Sequence, residues 1–322
     1  MVDKPRIFVH CPDIETPVSG VAWLYRHVDI LNSHGFDACI VHHKEGFKLN
    51  WHPSETPVEY YPAPMRPELD VAVFPEVAGP SINEMARGIR KVILVQSAYY
   101  AFSATALGDA RPLAYKSPDC LGAIVTCADS GDFLRQIYMN LPVYRLWCSV
   151  DPELYYPRPK QKQICLRPRK NVKDAEVVLR ILNESKGLRD WRVLVPDPKD
   201  EPAMGEMIRD SLLYLNFDSP EGFAWGIAEA MRAACVVIGY DGRGGAEIMK
   251  KEFSYPVPYG DVLEFAVQVR AAMMEYDMAT DRLERMGRDA SAFIYRNYSE
   301  ERYRESVVNC WTDILAEGAE RV

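Results

Sequence analysis

Two glutamates, Glu221 and Glu229, are separated by seven residues in the stretch "SPEGFAWGIAEAMRAACVVIGYDGRGGAEI", residues 219–248. The first lies in a turn after an apolar run, and the second lies in a predicted helix that begins near Ala224. The N–H groups at a helix start bind anions, and a glycine such as Gly222 lets a ligand approach the backbone closely. Two carboxylates in this setting suit a ligand with hydroxyl groups at both ends and negative charge between them. A nucleotide sugar, with its sugar, diphosphate and ribose, has that layout.

Short apolar runs that are typical of strands alternate with helical patterns along the chain. The expected strands include 6–11, 69–76, 91–97, 122–128, 164–168, 191–197, 212–217 and 235–241. Nearly continuous apolar strands separated by helices indicate parallel sheets covered on both faces. The polar, proline-rich segment 151–163 divides two such series, so we predict an α/β protein with two doubly wound domains.

Three residues are predicted to mark helix boundaries. Gly35 follows the helical pattern that begins near Gly20, and glycine commonly ends a helix. Ser130 and Ser299 each precede a helical pattern, and serine is a favoured N-cap residue.

Composition excludes several classes of protein. The net charge of −8 argues against nucleic-acid binding, and no stretch approaches the roughly 20 apolar residues of a membrane span. The N-terminal segment has no pattern of a secretory signal. The eight cysteines are scattered without a CxxC pair, which favours buried, reduced thiols over zinc or redox sites. These features predict a cytoplasmic protein without a transmembrane segment; peripheral membrane contact stays open.

The stretch 219–248 resembles the donor-binding signature of the retaining family-four glycosyltransferases. Its matching positions are Glu221, Gly222, Phe223, Glu229, Ala230, Met231, Val237, Ile238, Gly244, Gly245 and Glu247. It departs from the family pattern at Ala224, Arg232, Ala234 and Val236. The segments "CSVDPELYYP" and "PVSGVAWLYRHVDILNSHGFDACIV" also resemble family segments.

The resemblance implies a GT-B fold, in which two Rossmann-like domains face a cleft and a C-terminal helix crosses back to the first domain. The expected domains are an acceptor-side domain at 1–152, a nucleotide-sugar-binding domain at 153–298 and the returning helix at 299–322. It further implies a carbohydrate-biosynthesis enzyme that transfers a sugar from a nucleotide donor, expected to carry UDP or GDP, to a glycan, a glycolipid or another hydroxyl acceptor, with retention. No cofactor beyond the donor is implied.

The resemblance also assigns roles around the donor. Glu221 is expected to hold hydroxyls of the donor sugar and Glu229 the ribose hydroxyls. Main-chain N–H groups near the turn are expected to hold the diphosphate. The donor-side turn and loop comprise Gly222, Phe223, Ala224, Trp225 and Gly245.

Cations after the first strand of the second domain are expected to stabilise the departing diphosphate. "ICLRPRKN" offers Arg167, Arg169 and Lys170, and the sequence leaves open whether Arg167 or Arg169 acts together with Lys170. Because protein cations replace a metal in this fold, the resemblance implies a metal-independent reaction.

The first domain carries further candidates. Gly20 would let the backbone approach the diphosphate, although a plain glycine at a helix start is nearly as well supported. Gln96 and Ser97 stand where many family members have a histidine. Tyr99 could stack on an acceptor sugar or pack in the core.

Three other functions are alternatives to sugar transfer. A non-catalytic GT-B binding or scaffold protein fits the loss of the histidine. A sugar-nucleotide epimerase would need further acids or bases that the sequence does not offer. A dinucleotide-dependent dehydrogenase lacks its G-x-G-x-x-G signature. The donor base, the sugar, the acceptor, the linkage and the oligomeric state are not encoded in a recognisable form.

Overall fold

The protein is described by a computed structural model. The model describes residues 4–106, 108–185, 188, 190–196, 201–279 and 281–320. These residues form two compact units. Unit 1 runs to Leu146 and resumes at Tyr303, and unit 2 is Trp147–Arg302. The domain boundaries expected at 152/153 and 298/299 stay a prediction, and residues 321–322 of the expected last segment lie outside the described residues.

Unit 1 is built on a sheet of seven described strands with the order β3-β2-β1-β4-β5-β6-β7, and each neighbouring pair is parallel. The strands are β1 (Arg6–His10), β2 (Asp37–His42), β3 (Val58–Tyr60), β4 (Val71–Pro75), β5 (Arg90–Val95), β6 (Cys120–Val125) and β7 (Val143–Arg145). Its first helices are α1 (Ser19–Ser33), α2 (Ile82–Met85) and α3 (Ala128–Ile137). The central strands β4 and β6 are buried along their whole length, as their apolar sequences predict.

Unit 2 contains five described parallel strands in the order β12-β11-β10-β8-β9. The strands are β8 (Gln161–Leu166), β9 (Arg192–Leu194), β10 (Ser211–Asn216), β11 (Val236–Gly239) and β12 (Ser254–Pro256). The helices are α4 (Val172–Glu184), α5 (Glu201–Asp210), α6 (Trp225–Arg232), α7 (Val262–Met278) and α8 (Asp281–Asn297). Apolar clusters on both faces of this sheet bury nearly all of β10.

The last helix, α9 (Glu300–Glu320), packs on α1 in unit 1, as the fold expectation required. The fully buried Trp311 donates its indole N–H to Nε2 of His27 at 2.8 Å. The ring of Trp23 stacks on Tyr303 with centroids 5.9 Å apart. These two buried contacts explain why α9, although it is distant in sequence from α1, belongs to unit 1.

The predicted helix boundaries were right at two of three positions. Gly35 adopts φ +83° just past α1, and Ser299 Oγ accepts the N–H of Arg302 at the start of α9. Ser130, however, is not an N-cap. It lies inside α3, which begins at Ala128, and its hydroxyl instead accepts the backbone N–H of Ala98 at 3.2 Å. The hydrogen-bond partner of Ser130 is set by this tertiary contact, which cannot be read from the local sequence pattern.

Candidate functional site

The sheet of unit 2 reverses its strand order between β8 and β10. From β8 the chain adds β9 on one side, then returns to add β10, β11 and β12 on the other. Carboxyl ends of neighbouring strands at such a reversal form the usual ligand crevice of open α/β sheets. The residues just past β8 are 167–170, and those just past β10 are 217–221. The candidate cations and the first candidate carboxylate therefore meet at this point.

Glu221 lies against two of the three candidate cations. Its Oε1 is 2.9 Å from Nζ of Lys170 and 3.1 Å from Nη2 of Arg169. Its side chain is only 15% exposed, whereas that of Arg169 is 52% exposed. The pKa of Arg169 is raised, because Glu221 and Asp218 outweigh the lowering effect of burial. The carboxylate is thus fixed by charge-assisted contacts at the mouth of the strand reversal.

Asp218 is a buried member of this cluster that the sequence analysis did not single out. Its Oδ1 accepts the backbone N–H groups of Arg169 and Lys170, both at 2.8 Å. Its Oδ2 accepts Nε–H of Arg169 at 3.1 Å. Asn171 adds donors from the same turn to the carbonyls of Phe217 and Ser219. The signal available in the sequence was an aspartate placed directly after an apolar strand.

Glu229 lies in α6 beside the third cation. Its Oε2 is 3.6 Å from Nη2 of Arg167, and both side chains are largely buried. Burial alone would lower the pKa of Arg167, but Glu229 and the Tyr214 hydroxyl raise the pKa above its ordinary value. The two glutamates therefore form ion pairs with different cations. Glu221 pairs with Arg169 and Lys170, whereas Glu229 pairs with Arg167.

The turn between β10 and α6 is held by the glycine-rich loop after β11. The N–H of Glu221 donates to the carbonyl of Gly242 at 2.7 Å, and a Cβ on Gly244 would overlap the carbonyl of Gly222. Gly245 is similarly enclosed, because a Cβ there would meet the carbonyl of Asp241. Gly244 thus allows the loop to pack against the turn at Gly222, and Gly245 allows the close turn of the loop itself.

Residues around the start of α6 pack on each other and on the sheet. Phe223 is buried, with its ring edge-to-face on Trp225 at 4.8 Å. Ala224 occupies the N-cap position and provides no side-chain acceptor for the first helical N–H groups. Gly226 makes room for a side chain, because a Cβ there would lie 2.6 Å from the Tyr214 hydroxyl oxygen.

Gly20, Gln96 and Ser97 belong to unit 1, where the structure brings the first two together. Nε2 of Gln96 donates to the carbonyl of Gly20 at 3.0 Å, and a Cβ on Gly20 would collide with Oε1 of Gln96. The N–H of Ser97 donates to Oε1 of the buried Glu76 at 2.9 Å. Burial raises the pKa of Glu76 to about 7, although the Ser97 N–H opposes the shift. Glu76 is a buried neighbour of the candidate residue Ser97 that sequence reasoning did not identify.

Tyr99 packs against α3. Its hydroxyl donates to Oδ2 of Asp129 at 2.7 Å, and its ring lies 5.5 Å from that of Phe133. Both contacts engage the protein itself, which favours the packing interpretation of this tyrosine over acceptor stacking.

The described part of the chain has neither a cluster of metal-ligating side chains nor a membrane-spanning helix. No group of three or more His, Cys, Asp or Glu side chains there is placed to hold a metal ion. No helix there has the length and apolar character needed to cross a membrane.

Comparison with known proteins identifies the fold. No family model and no curated protein sequence matches the chain. Among solved structures, sucrose-phosphate synthase from Thermosynechococcus elongatus matches with a TM-score of 0.71 at 12% identity, covering 97% of this chain and 100% of that one. HepE from Anabaena, solved in complex with UDP, matches with a TM-score of 0.67 at 14% identity, covering 96% and 100%. A glycosyltransferase from Rickettsia africae matches with a TM-score of 0.64 at 11% identity, covering 97% and 99%.

These matches, with the two parallel sheets and the α9 contact on α1, show the GT-B glycosyltransferase fold. The solved structures that share it include family-four enzymes such as sucrose-phosphate synthase and HepE.

Proposed function

We propose that the protein is a retaining glycosyltransferase that moves a sugar from a nucleotide-sugar donor to a hydroxyl group of a glycan or glycolipid. The observation that carries the proposal is the contact of Glu221 with Lys170 and Arg169 at the strand reversal of unit 2. In the proposal, Glu221 binds hydroxyls of the sugar, and the neighbouring cations bind the diphosphate. The two kinds of group would therefore lie on either side of the sugar–diphosphate bond that breaks. The Anabaena structure contains UDP, so UDP-sugars are the first donors to test.

The cations would act on the leaving group. As the glycosidic bond breaks, negative charge grows on the nucleoside diphosphate, and positive groups already in position stabilise it without reorganising. Arg169 and Lys170 take this role in the proposal, because both are held by Asp218 and both contact Glu221. With the charge supplied by the protein, the reaction needs no metal ion.

The two carboxylates would fix the donor's ends. Glu221 accepts hydroxyls of the transferred sugar, and Glu229, in α6, accepts hydroxyls of the ribose. The first N–H groups of α6, after the N-cap Ala224, supply donors for the diphosphate between them. Arg167 is assigned to hold Glu229 in place, since its guanidinium is 3.6 Å from that carboxylate and largely buried.

A second candidate is a GT-B protein that binds a nucleotide sugar without turnover. The observation favouring it is Gln96, whose amide donates to Gly20 and carries no titratable group. Binding and turnover separate the two candidates, since a scaffold would bind the donor yet release no nucleoside diphosphate.

The reaction is proposed to take place in the cytoplasm. All eight cysteines are free thiols and all are buried, which fits a reducing compartment.

The test is a thermal-shift screen against UDP-, GDP-, ADP- and CMP-sugars, because a ligand that binds only the folded protein raises its melting temperature. One donor class should raise it, and the shift should shrink in Glu229→Ala. Release of nucleoside diphosphate from that donor, in buffer with and without a chelator, then tests turnover and metal independence. A flat response to all four classes would overturn the proposal.

A further inference from the structure

A cavity of about 360 Å³ lies in unit 1 at the amino-terminal edge of the sheet. It is bordered by α2, by the segment 87–91 that leads into β5, and by the segment 112–119 that precedes β6. The polar and charged residues that line it are Asn83, Arg87, Lys91, Lys116, Ser117 and Asp119. The volume falls within the range of about 300–1,000 Å³ that is typical of small-molecule sites. Gln96 and Ser97 lie past the opposite, carboxyl end of β5, so this cavity is separate from the residues already assigned to the reaction.

The charge of the cavity is positive in a protein whose net charge is −8. Among the described residues that line it are three cations, Arg87, Lys91 and Lys116, and one carboxylate, Asp119. One positive charge is balanced by that carboxylate, so about two remain. Arg87 and Lys116 are exposed, so the cavity opens to solvent beside two cationic side chains.

Lys91 provides a buried positive charge at a fixed position in the cavity wall. Its side chain is only 1% exposed, and its Nζ lies 3.3 Å from Oδ2 of Asp119 and 3.5 Å from Oγ of Ser117. An ammonium group withdrawn from water is costly unless oxygen atoms surround it. Ser117 accepts from Lys91, which leaves its own O–H to donate to a ligand.

The cavity wall is also tied together by hydrogen bonds. Nδ2 of Asn83 donates to the carbonyl of Pro112 at 2.7 Å, joining α2 to the segment before β6. The N–H of Lys91 donates to the carbonyl of Asp119 at 2.9 Å. These bonds hold the cavity's floor and rim in one arrangement before a ligand arrives.

We propose that this cavity binds a small phosphate-bearing anion, either free phosphate or a phosphate monoester. The Ser117 hydroxyl donates from the floor, the buried Lys91 ammonium adds positive charge behind it, and Arg87 and Lys116 close over the anion from the rim. Phosphate oxygens suit this set because they accept several charge-assisted hydrogen bonds at once. The site lies outside the donor-binding residues of unit 2 and is a second ligand site.

The experiment is calorimetric titration of the full chain with inorganic phosphate and, in a second arm, with glycerol phosphate. Ionic strength is held constant with sodium chloride, since non-specific attraction is screened by salt. Saturable binding in either arm is expected below about 10 mM. A tighter constant for one arm identifies free phosphate or the monoester as the ligand. The absence of saturable binding in both arms overturns the proposal.

Variants locate the site. Arg87→Gln with Lys116→Gln, both exposed, should weaken binding at least about 10-fold, since two charge-assisted donors to the anion are lost. Asp119→Asn removes the opposing carboxylate and should tighten binding several-fold. The matched controls Lys48→Gln and Arg135→Gln alter exposed cations of unit 1 outside the cavity and should leave binding unchanged. Lys170→Gln removes a cation assigned to the diphosphate in unit 2; loss of all phosphate binding in that variant would place the anion in unit 2 and overturn the proposal.

Discussion

Lys170 Nζ and Glu221 Oε1 lie 2.9 Å apart across two neighbouring strands of unit 2. Lys170 follows β8 and Glu221 follows β10, which pair in parallel. The contact is therefore set by the strand pairing, and it leaves the carboxylate and the cation in one fixed relationship. Under the proposed function, a hydroxyl-binding group and a leaving-group cation are already correctly spaced before a donor binds.

Replacing Lys170 by alanine should lower kcat far more than donor affinity. Its charge matters most when negative charge develops on the leaving diphosphate, and loss of one such group costs roughly 100- to 1,000-fold in kcat. Steady-state kinetics and calorimetry with the donor measure the two effects. Lys173→Ala is the matched control, because Lys173 lies in α4 and is 90% exposed. Equal rates for Lys170→Ala and the wild type would contradict the proposed role.

Replacing Glu229 by alanine should weaken binding of the free nucleoside diphosphate by about 10-fold or more, since charged hydrogen bonds to ribose are lost. Calorimetry provides the measurement. Glu229→Gln is prepared in parallel, because alanine leaves Arg167 without its carboxylate neighbour. The control is Glu206→Ala, an exposed position on α5. Unchanged affinity in both Glu229 variants would remove this residue from the site.

Replacing Asp218 by asparagine should disturb the cation turn. Asp218 accepts two backbone N–H groups and the Arg169 side chain, and an amide can replace only part of this set. We expect kcat to fall about 10-fold or more, with donor affinity less affected. The pattern should match that of Lys170→Ala, and the effects of the two changes combined should be less than additive. Fully additive effects in the double-mutant cycle would mean that Asp218 acts independently of the cations.

Replacing Gly20 by alanine should destabilise the protein by up to about 1 kcal/mol, because the flexible end of the Gln96 side chain must shift and give up its hydrogen bond to the Gly20 carbonyl. The added methyl group would collide with Oε1 of Gln96. In a Gln96→Ala background the same change should be neutral or stabilising by up to about 1 kcal/mol, because alanine favours a helix over glycine. Urea unfolding of the four proteins in this cycle measures the difference. A similar cost in both backgrounds would show that Gln96 is not the cause.

The buried Glu76 should make stability depend on pH. Its pKa is about 7 in the folded protein against an ordinary 4.5, so between these values the folded state keeps a proton that the unfolded chain has lost. The free energy of unfolding therefore falls as pH rises through this window, by at most roughly 1.4 kcal/mol per pH unit, and levels off above it.

Glu76→Gln removes this dependence while keeping an acceptor for the Ser97 N–H. Its stability relative to the wild type should increase from about pH 5 to about pH 8 by roughly 2–3 kcal/mol. Urea unfolding at both pH values gives this difference. Glu84→Gln, an exposed change in α2, should show no such trend. A constant gap between Glu76→Gln and the wild type would refute the shifted pKa.

Local sequence was sufficient for much of the architecture. The runs that became β1, β4, β5, β6, β8, β10 and β11 are apolar over several residues, and such runs must be buried on both faces. Glu221 before α6 and Glu229 within it were also located correctly, because strand, turn and helix follow one another over a few residues. The short strands β3 and β12 were not predicted, since neither lies in an apolar run long enough to show a strand pattern.

What the tertiary structure decided is which of these residues meet. The sequence left Arg167 and Arg169 as alternatives; folding places Arg167 by Glu229 and Arg169 by Glu221 and Asp218. The sequence also allowed a ligand to approach the backbone at Gly20. In the structure, the group that lies against Gly20 is the side chain of Gln96. The physical reason is that periodicity records burial along one segment. The order of strands in a sheet depends on packing between segments distant in sequence, and that order alone brings the ends of β8 and β10 together.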